Sequence, residues 1–339
     1  MSAALLKRLL YRTGALGLLH RLRNRRTLTV VMFHRVLAPD DPRWASCDPD
    51  YTLRDDLFRD CLAFFRRHYH VVSLDQVLAA VDEGAPLPPR ALLLSFDDGW
   101  ADNHDHALPA LRAAGMPAVL FTVADAVGSR QPFFQERLVA ALRRGALSTA
   151  ELAAALAAEG QAVAAWPEGL PGLRQAIAVL ETLDAPARER VLARLAGRLD
   201  DGLRHMVDAG ELSAMAGAGV AIGLHGKSHV PMTRADDLDA ELAGARSALA
   251  RHLPGQRLDT LSYPHGRYDA AIAARTRAAG YRLAGTSVPA INPAHPRPSW
   301  LLARLGFEQA GITDGTGRFL PERLALYLFR APHAVPAGA

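Results

Sequence analysis

Cysteine is almost absent from this chain of 339 residues, which contains only Cys47 and Cys61. Two thiols exclude a disulfide framework and a cysteine metal cluster, and they favour a reducing compartment. Long apolar runs are also absent near the start, where Lys7, Arg8 and Arg12 interrupt the leucines. A secretory signal needs an unbroken apolar stretch, and a transmembrane helix needs about 20 apolar residues. We therefore expect a cytoplasmic protein.

Acidic residues are missing from positions 1–26, which hold seven of the 39 Lys and Arg residues. The rest of the chain has 32 basic residues against all 35 Asp and Glu residues, so it is slightly acidic. A nucleic-acid binder would carry basic residues on its folded domain, interleaved with aromatic residues. We therefore expect no nucleic-acid partner.

The leucines and basic residues of positions 1–26 alternate as in a basic amphipathic helix. Two interpretations of this segment stay open. It is either a surface helix packed on the domain or a helix that lies peripherally on an anionic membrane. In the second case we expect it on the inner face of the membrane.

Apolar segments rich in β-branched residues alternate with helical segments along the remaining chain, a pattern that predicts parallel strands and an α/β barrel. The strand-like segments are 28–33, 71–74, 91–96, 117–123, 219–224, 258–263, 281–286 and 301–307. They predict one domain over residues 27–330. The pattern lapses at about 131–206, where Ala- and Leu-rich helices predict a helical insertion. Residues 331–339 are expected to form a disordered tail.

Ionisable residues follow three of these strands. Asp97 and Asp98 follow 91–96, His225 and His229 follow 219–224, and His265 follows 258–263. The carboxyl ends of parallel barrel strands meet on one face, so we expect these clusters to converge. Each cluster alone has an ordinary explanation as a turn or a helix cap. Their joint position at strand ends favours a reaction centre.

Two imidazoles and one carboxylate suit Zn²⁺ and leave room for water and substrate. Such an ion lowers the pKa of water and polarises a carbonyl group. A second, unligated carboxylate is then needed to accept the proton of the water. The two adjacent aspartates, Asp97 and Asp98, meet both needs.

The residues at 95–99, Ser-Phe-Asp-Asp-Gly, resemble the first motif of the NodB-homology polysaccharide deacetylases, carbohydrate esterase family 4. Positions 225–229 resemble the second motif of that family, His-Ser/Thr-x-x-His, and 264–266 its Pro-Tyr-Gly turn. The sequences at 32–36 and 279–281 are similar to further family segments. The resemblance covers about 27–125 and 207–307, and it implies a distorted (β/α) barrel.

The same resemblance implies a role for each matching residue. Asp97 would be the general base, and Asp98, His225 and His229 would hold a divalent metal ion, for which Zn²⁺ fits best. The backbone N–H of His265 would help to hold an oxyanion. The candidates for contact with substrate are Trp100, Tyr263, Pro264 and His34.

The chain departs from the family pattern at three points. Gly226 replaces the Ser/Thr whose hydroxyl would brace the histidine loop. Ser262 stands where an arginine often steadies the base. We expect Arg304 to substitute for it, and the alternative is that Arg304 is a plain surface arginine. The motif that supplies the general acid is not recognisable. The candidates for that acid are His34, His104, His265 and His295, and the alternative is a metal-bound water or a network of substrate hydroxyls.

These features predict metal-dependent hydrolysis of an N-acetyl group on an amino-sugar-containing saccharide, a precursor of a cell-surface glycan. Two alternatives stay open. The chain could be a metal hydrolase of a non-sugar amide or ester, or a carbohydrate-binding homologue without catalytic activity.

Overall fold

The computed structural model of the chain describes residues 3–161 and 166–334, which divide between two compact units. The first unit comprises Met1–Val36, Asp50–Gly128 and Val207–Ala339, and the second comprises Leu37–Pro49 and Ser129–Met206. The strands are β1 (Thr27–Phe33), β2 (Arg35–Leu37), β3 (Thr52–Arg54), β4 (His70–Val71), β5 (Ala91–Phe96), β6 (Ala118–Thr122), β7 (Val220–Leu224), β8 (Thr260–Ser262), β9 (Leu283–Gly285), β10 (Asn292–Pro293) and β11 (Leu305–Gly306).

The helices include two at the start of the chain and several between the strands. They are α1 (Ala3–Arg12), α2 (Ala15–Arg23), α3 (Asp55–His68), α4 (Leu74–Asp82), α5 (Leu108–Ala114), α6 (Phe134–Arg143), α7 (Thr149–Ala157), α8 (Leu170–Thr182), α9 (Ala185–Arg194), α10 (Ala196–Leu199), α11 (Ala209–Gly217), α12 (Ala245–Ala250), α13 (Ala270–Ala278), α14 (Gln309–Ile312) and α15 (Pro321–Arg330).

The main sheet of the first unit curls into a distorted (β/α) barrel, as the sequence predicted. Its strand order is β10-β1-β5-β6-β7-β8-β9, and the neighbours from β1 to β9 are parallel. The segment before and including β11 lies between the two ends of this series. Leu302 bridges to Gly285 at the end of β9, and Leu305 pairs with Val31 of β1. The carboxyl ends of the parallel strands therefore share one end of the barrel.

The central strand β5 shows why the sheet is parallel, because all six of its residues are buried. Leu92, Leu94 and Phe96 face the cluster that includes the surrounding helices, whereas Leu93 belongs to a cluster on the other face. A strand covered on both faces reads as a continuous apolar run, which is the signal in the sequence.

Six of the eight predicted strands are shorter in the structure, and two of them are reduced to two residues. The segment 71–74 stops at Val71, because Ser73 forms a reciprocal capping box with Gln76 and starts α4. The segment 301–307 contributes only Leu305–Gly306, preceded by a helical turn at Ser299–Leu301.

The second unit is helical and has its own apolar core. Ser129–Met206 overlaps the predicted insertion of about 131–206 and carries α6 to α10. Leu37–Pro49, which the sequence did not assign to it, is bound to these helices by polar contacts. Arg174 Nη2 donates to Asp48 Oδ1 at 2.7 Å, and Arg143 Nη1 donates to the carbonyl of Cys47.

The segment 1–26, predicted as one helix, forms two helices in the structure. Gly14 has φ 81°, a left-handed conformation that ends α1 and precedes α2. Leu16 and His20 of α2 are buried, and the His20 ring stacks on Phe329 at 4.1 Å. This part of the segment is therefore packed on the domain.

The start of the predicted tail, 331–334, is hydrogen-bonded to the barrel. The amide of Ile291 donates to the carbonyl of Pro332, and the amide of Ala334 donates to the carbonyl of Ile291, both at 2.8 Å. The rest of the predicted tail, 335–339, lies outside the described residues. In the described parts of the chain, we find no helix with the length and apolar character needed to span a bilayer.

The buried His20 predicts a pH dependence of stability. Burial, with a smaller effect of Arg90, lowers the pKa of His20 to about 3. The unfolded chain binds this proton below about pH 6.5, whereas the folded chain does not. The free energy of unfolding should therefore fall as the pH falls from 7 to 5, by about 1 kcal/mol per pH unit from this group.

We expect His20→Phe to reduce this slope in chemical denaturation measured at several pH values. Part of the slope will remain, because burial also lowers the pKa of His68, to about 4. His70→Phe is the matched control, since the His70 side chain is exposed. Equal slopes for wild type and His20→Phe would contradict the prediction.

Candidate active site

Three side chains converge at the carboxyl end of the barrel, as their positions after β5 and β7 predicted. Asp98 Oδ1 lies 3.4 Å from His225 Nε2 and 3.3 Å from His229 Nε2. One ligand atom of each residue lies within 4.8 Å of the others. Asp98 and His225 are buried, and His229 is half-buried. This spacing allows one ion to contact all three atoms.

Two hydrogen bonds orient these side chains. His225 Nδ1 lies 2.9 Å from the carbonyl oxygen of Ser262. A carbonyl only accepts, so Nδ1 carries the proton and Nε2 presents its lone pair towards Asp98. Trp100 Nε1 donates to Asp98 Oδ2 at 2.9 Å, which leaves Oδ1 to face the histidines.

The neighbouring Asp97 is held by a two-pronged contact with Arg304. Arg304 Nη1 donates to Asp97 Oδ1 at 2.7 Å and Nη2 to Oδ2 at 2.8 Å. Arg304 Nη2 also donates to Ser262 Oγ at 2.7 Å, and Ser262 Oγ donates to Asp97 Oδ2 at 3.2 Å. The expected contact between Arg304 and Asp97 is therefore present, and Ser262 joins it.

The electrostatics of the site keep both carboxylates charged. Burial raises the pKa of Asp97, but the charge of Arg304 and its hydrogen bonds outweigh this effect and hold it below its ordinary value. Burial likewise opposes ionisation of Asp98, but His229, His34 and His225 together lower the pKa of that carboxyl further than burial raises it. Burial lowers the pKa of His225 to about 4. A neutral imidazole beside a charged carboxylate is the state that a metal ion requires.

The backbone of the site is left-handed at three functional positions. Asp98, His229 and His265 have φ values of 78°, 66° and 57°. Such conformations cost about 1–3 kcal/mol each in residues other than glycine, and they concentrate at functional sites. Gly99 has φ 89°, and a Cβ atom there would lie 2.8 Å from Thr122 Cγ2. The turn after Asp98 therefore requires glycine.

The histidine loop is braced by Glu241, which the sequence analysis did not identify. Its Oε2 accepts from the amides of Lys227 and Ser228 at 2.7 and 3.1 Å. The hydroxyl of Ser228 donates to Oε1 at 2.5 Å. This carboxylate performs the bracing that the hydroxyl missing at Gly226 would have provided. The chain separation between Glu241 and this loop left no motif by which to find it.

Three of the residues predicted to touch substrate are buried in the structure. Trp100 is 1% exposed, and its indole N–H is bonded to Asp98. Tyr263 is 0% exposed, and its hydroxyl donates to the carbonyl of Trp300 at 3.2 Å. Pro264 is also buried. Their large apolar surfaces pack inside the unit, so they have little area left for a ligand.

The four histidines considered as general acids occupy different places. The His265 ring lies 4.6 Å from the ring of His229, and the charge of His34 lowers the pKa of both Asp97 and Asp98. His295 lies near the carbonyl of Ala80, next to Ala294, whose amide bonds to Arg26 before β1. That position is at the opposite end of the sheet, so His295 is no longer a candidate.

His104 lies 3.0 Å from Asp105 and 4.0 Å from Glu211, in a cluster on the side of α11. His34 and His265 are therefore the candidates that neighbour the site. The role predicted for the His265 backbone N–H stays a prediction.

The donor set fits a divalent ion such as Zn²⁺. Two imidazole nitrogens and one carboxylate oxygen are ligands that zinc accepts, and catalytic zinc sites commonly have three protein ligands. The fixed Nδ1 proton of His225 and the oriented Oδ1 of Asp98 meet the further requirement for aligned lone pairs.

Comparison with known proteins identifies the class. The family profile described as polysaccharide deacetylase matches residues 84–165 and 170–284, which is more than half of the chain. The chain therefore belongs to the polysaccharide deacetylase family, as its motifs predicted.

One relative is similar in sequence to part of the chain. The chain is 34% identical over 92 residues to poly-beta-1,6-N-acetyl-D-glucosamine N-deacetylase of Escherichia coli K12. That stretch covers 26% of this chain and only 14% of the length of the relative.

Two solved structures share the fold. The Streptococcus pyogenes deacetylase PplD in complex with acetate has a TM-score of 0.58 and 15% identity, over 90% of this chain and 99% of that one. IcaB from Ammonifex degensii has a TM-score of 0.56 and 16% identity, over 90% and 97%.

The contacts of Glu241 predict a role in metal binding. Glu241→Gln keeps the size of the side chain but removes the charge that fixes the loop between His225 and His229. Loss of such an outer contact should weaken metal affinity roughly tenfold or more. Isothermal titration with Zn²⁺ measures this effect, with circular dichroism to check folding. Glu83→Gln, at an exposed glutamate, is the control. Equal affinities for the two variants would contradict the assignment.

Proposed function

We propose that this chain hydrolyses the N-acetyl group of an amino sugar within a saccharide, using a divalent metal ion held by Asp98, His225 and His229. The observation that carries the proposal is the pairing of this three-ligand group with the adjacent, Arg304-bound carboxylate of Asp97. Membership of the polysaccharide deacetylase family supports the substrate class.

In this proposal each residue has one task. A bound divalent ion would supply Lewis-acid chemistry, polarising the amide carbonyl and making water more acidic. Asp97 is charged and accepts a proton from the attacking water. Arg304 and Ser262 hold both oxygens of Asp97 and fix its direction.

The reaction balances as a simple hydrolysis. The water oxygen forms a bond to the acetyl carbon, and the bond from that carbon to the sugar nitrogen breaks. The nitrogen takes up a proton, and acetate and a free amine are released. We propose that the proton comes from His34, which interacts electrostatically with both Asp97 and Asp98.

The substrate that we propose is a precursor of a cell-surface glycan. The E. coli relative is named for N-deacetylation of a poly-N-acetylglucosamine, which supports an N-acetylated glucosamine polymer or oligomer as the first compound to test.

The role proposed for Asp97 predicts a loss of turnover when its charge is removed. Asp97→Asn keeps the shape of the side chain but removes the charged oxygen that accepts the proton. Turnover should fall by about 10²- to 10⁴-fold, while bound metal is unchanged. Acetate release measures turnover, and elemental analysis of the purified protein measures metal. Asp236→Asn, at an exposed aspartate, is the control. Near wild-type turnover in Asp97→Asn would remove this residue as the base.

The ligand assignment gives a second prediction. His225→Gln and His229→Gln should each lower the metal content, because only two protein ligands remain. Chelation of the wild-type protein should abolish acetate release, and added Zn²⁺ should restore it.

The substrate is tested by the same assay. N-acetylglucosamine oligomers are compared with nucleotide-linked N-acetyl sugars and with non-sugar acetamides and acetate esters. Release of acetate from the acetamides or esters alone would favour a metal hydrolase of non-sugar amides or esters. A metal-loaded protein that binds oligomers without releasing acetate would favour a binding protein.

A further inference from the structure

We propose that the outward face of α1 and α2 is a docking surface for an anionic lipid bilayer. The two helices expose six leucine side chains, which we call the leucine face. Their exposure ranges from 40 to 73%, and they are Leu5, Leu6 and Leu9 of α1 and Leu18, Leu19 and Leu22 of α2. Only three other large apolar side chains of the described residues are comparably exposed. Exposed apolar area gathered in this way marks an interaction site.

The opposite faces of the same helices are fixed to the domain. Leu16 and His20 of α2 are buried, and Tyr11 of α1 stacks with Phe64 at a ring distance of 6.3 Å. Arg23 donates to the carbonyls of Phe329 and Ala331 at 3.0 and 2.8 Å. These contacts hold the leucine face outward. A helix that rotated its leucines towards the domain would lose the contacts. The face is therefore presented on a rigid base.

The charge around the leucine face selects the occupant. Lys7, Arg8, Arg12 and Arg21 are exposed on the same two helices, and residues 1–26 contain no Asp or Glu. With 100° of rotation per residue, Arg12 lies close to Leu5 and Leu9 on α1, and Arg21 lies close to Leu18 on α2. Leucines flanked by basic residues are the composition of helices that lie in the plane of an anionic bilayer.

Other occupants fit this surface less well. A second copy of the chain would bring two sets of basic residues together with no acidic partner in the segment. A nucleic acid would meet six leucines where base stacking needs exposed aromatic rings. A bilayer with anionic headgroups satisfies both the apolar and the basic side chains.

The position of α2 also sets the direction of the reaction centre. Asn24 follows α2, and its carbonyl accepts from Thr27 Oγ1, at the first residue of β1. Asp98 lies two residues after Phe96, the last residue of β5, and β5 is paired with β1 in register from end to end. A strand of this length spans about 20 Å. The site therefore lies at the opposite end of the sheet from α2, away from a membrane that the leucine face contacts.

The test uses the full chain and sedimentation with vesicles. We expect binding to vesicles of phosphatidylcholine with phosphatidylglycerol and little binding to phosphatidylcholine alone. Binding to the anionic vesicles should weaken as salt is raised. The variant Leu18→Ser/Leu22→Ser should reduce binding about tenfold, because two leucines no longer enter the interface. Turnover of a soluble substrate should be unchanged in this variant.

Two controls separate the contributions. Val288→Ser is the matched control for the single variant Leu22→Ser, because both replace an exposed apolar residue by serine. Val288 lies outside the leucine face, so Val288→Ser should bind vesicles like wild type, whereas Leu22→Ser should bind them more weakly. Arg8→Gln/Arg12→Gln should lose most of the preference for anionic lipid.

No binding to either vesicle would overturn the proposal, and equal binding to both would overturn its electrostatic part. Light scattering, which measures the mass of the particle in solution, tests whether a second copy of the chain covers the leucine face. A dimer that dissociates in Leu18→Ser/Leu22→Ser, together with no vesicle binding, would assign the face to a second copy. Because vesicle binding needs no turnover, the result is independent of the proposed hydrolysis.

Discussion

The buried pair of Asp97 and Arg304 is the interaction on which the site depends. Both side chains are almost fully buried, at 2% and 1% exposure. Removal of one partner from such a pair leaves an uncompensated charge and costs about 3–5 kcal/mol. The guanidinium also bonds to the carbonyl of Thr286 and to the hydroxyl of Ser262. The Arg304 side chain therefore joins the end of β5, where Asp97 lies, to β8 and to the chain beyond β9.

Ser262 carries this arrangement on to the proposed metal ligands. Its hydroxyl contacts Asp97 and Arg304, and its carbonyl fixes His225. The position of the base and the direction of the first histidine are thus set by the same residue. The left-handed turns at Asp98 and His229 are tolerated because their surroundings hold them in place.

The sequence allowed prediction of those parts of the site that follow from strand order. Asp98, His225 and His229 converge because β5 and β7 are parallel, and that pairing is visible as apolar runs. The contact of Arg304 with Asp97 was also foreseeable, because the arginine expected at position 262 is missing.

Glu241 could not be predicted, since its role depends on how a distant helical segment lies over the histidine loop. The burial of Trp100 and Tyr263, which we predicted to touch substrate, could not be foreseen for a related reason. A large aromatic residue beside a motif has the same sequence signal whether it faces a ligand or the core. The cytoplasmic location stays a prediction.

The glycine at the end of β9 has a consequence for how this site can vary between related chains. A Cβ atom at Gly285 would lie 3.0 Å from Arg304 Nε and 3.1 Å from its Cδ, so a larger residue there would crowd the guanidinium. An arginine placed at position 262 would remove the need for Arg304, and position 285 would then be free to accept a side chain. Positions 262, 285 and 304 should therefore change together during divergence, as a linked set with two alternative solutions to the same electrostatic problem.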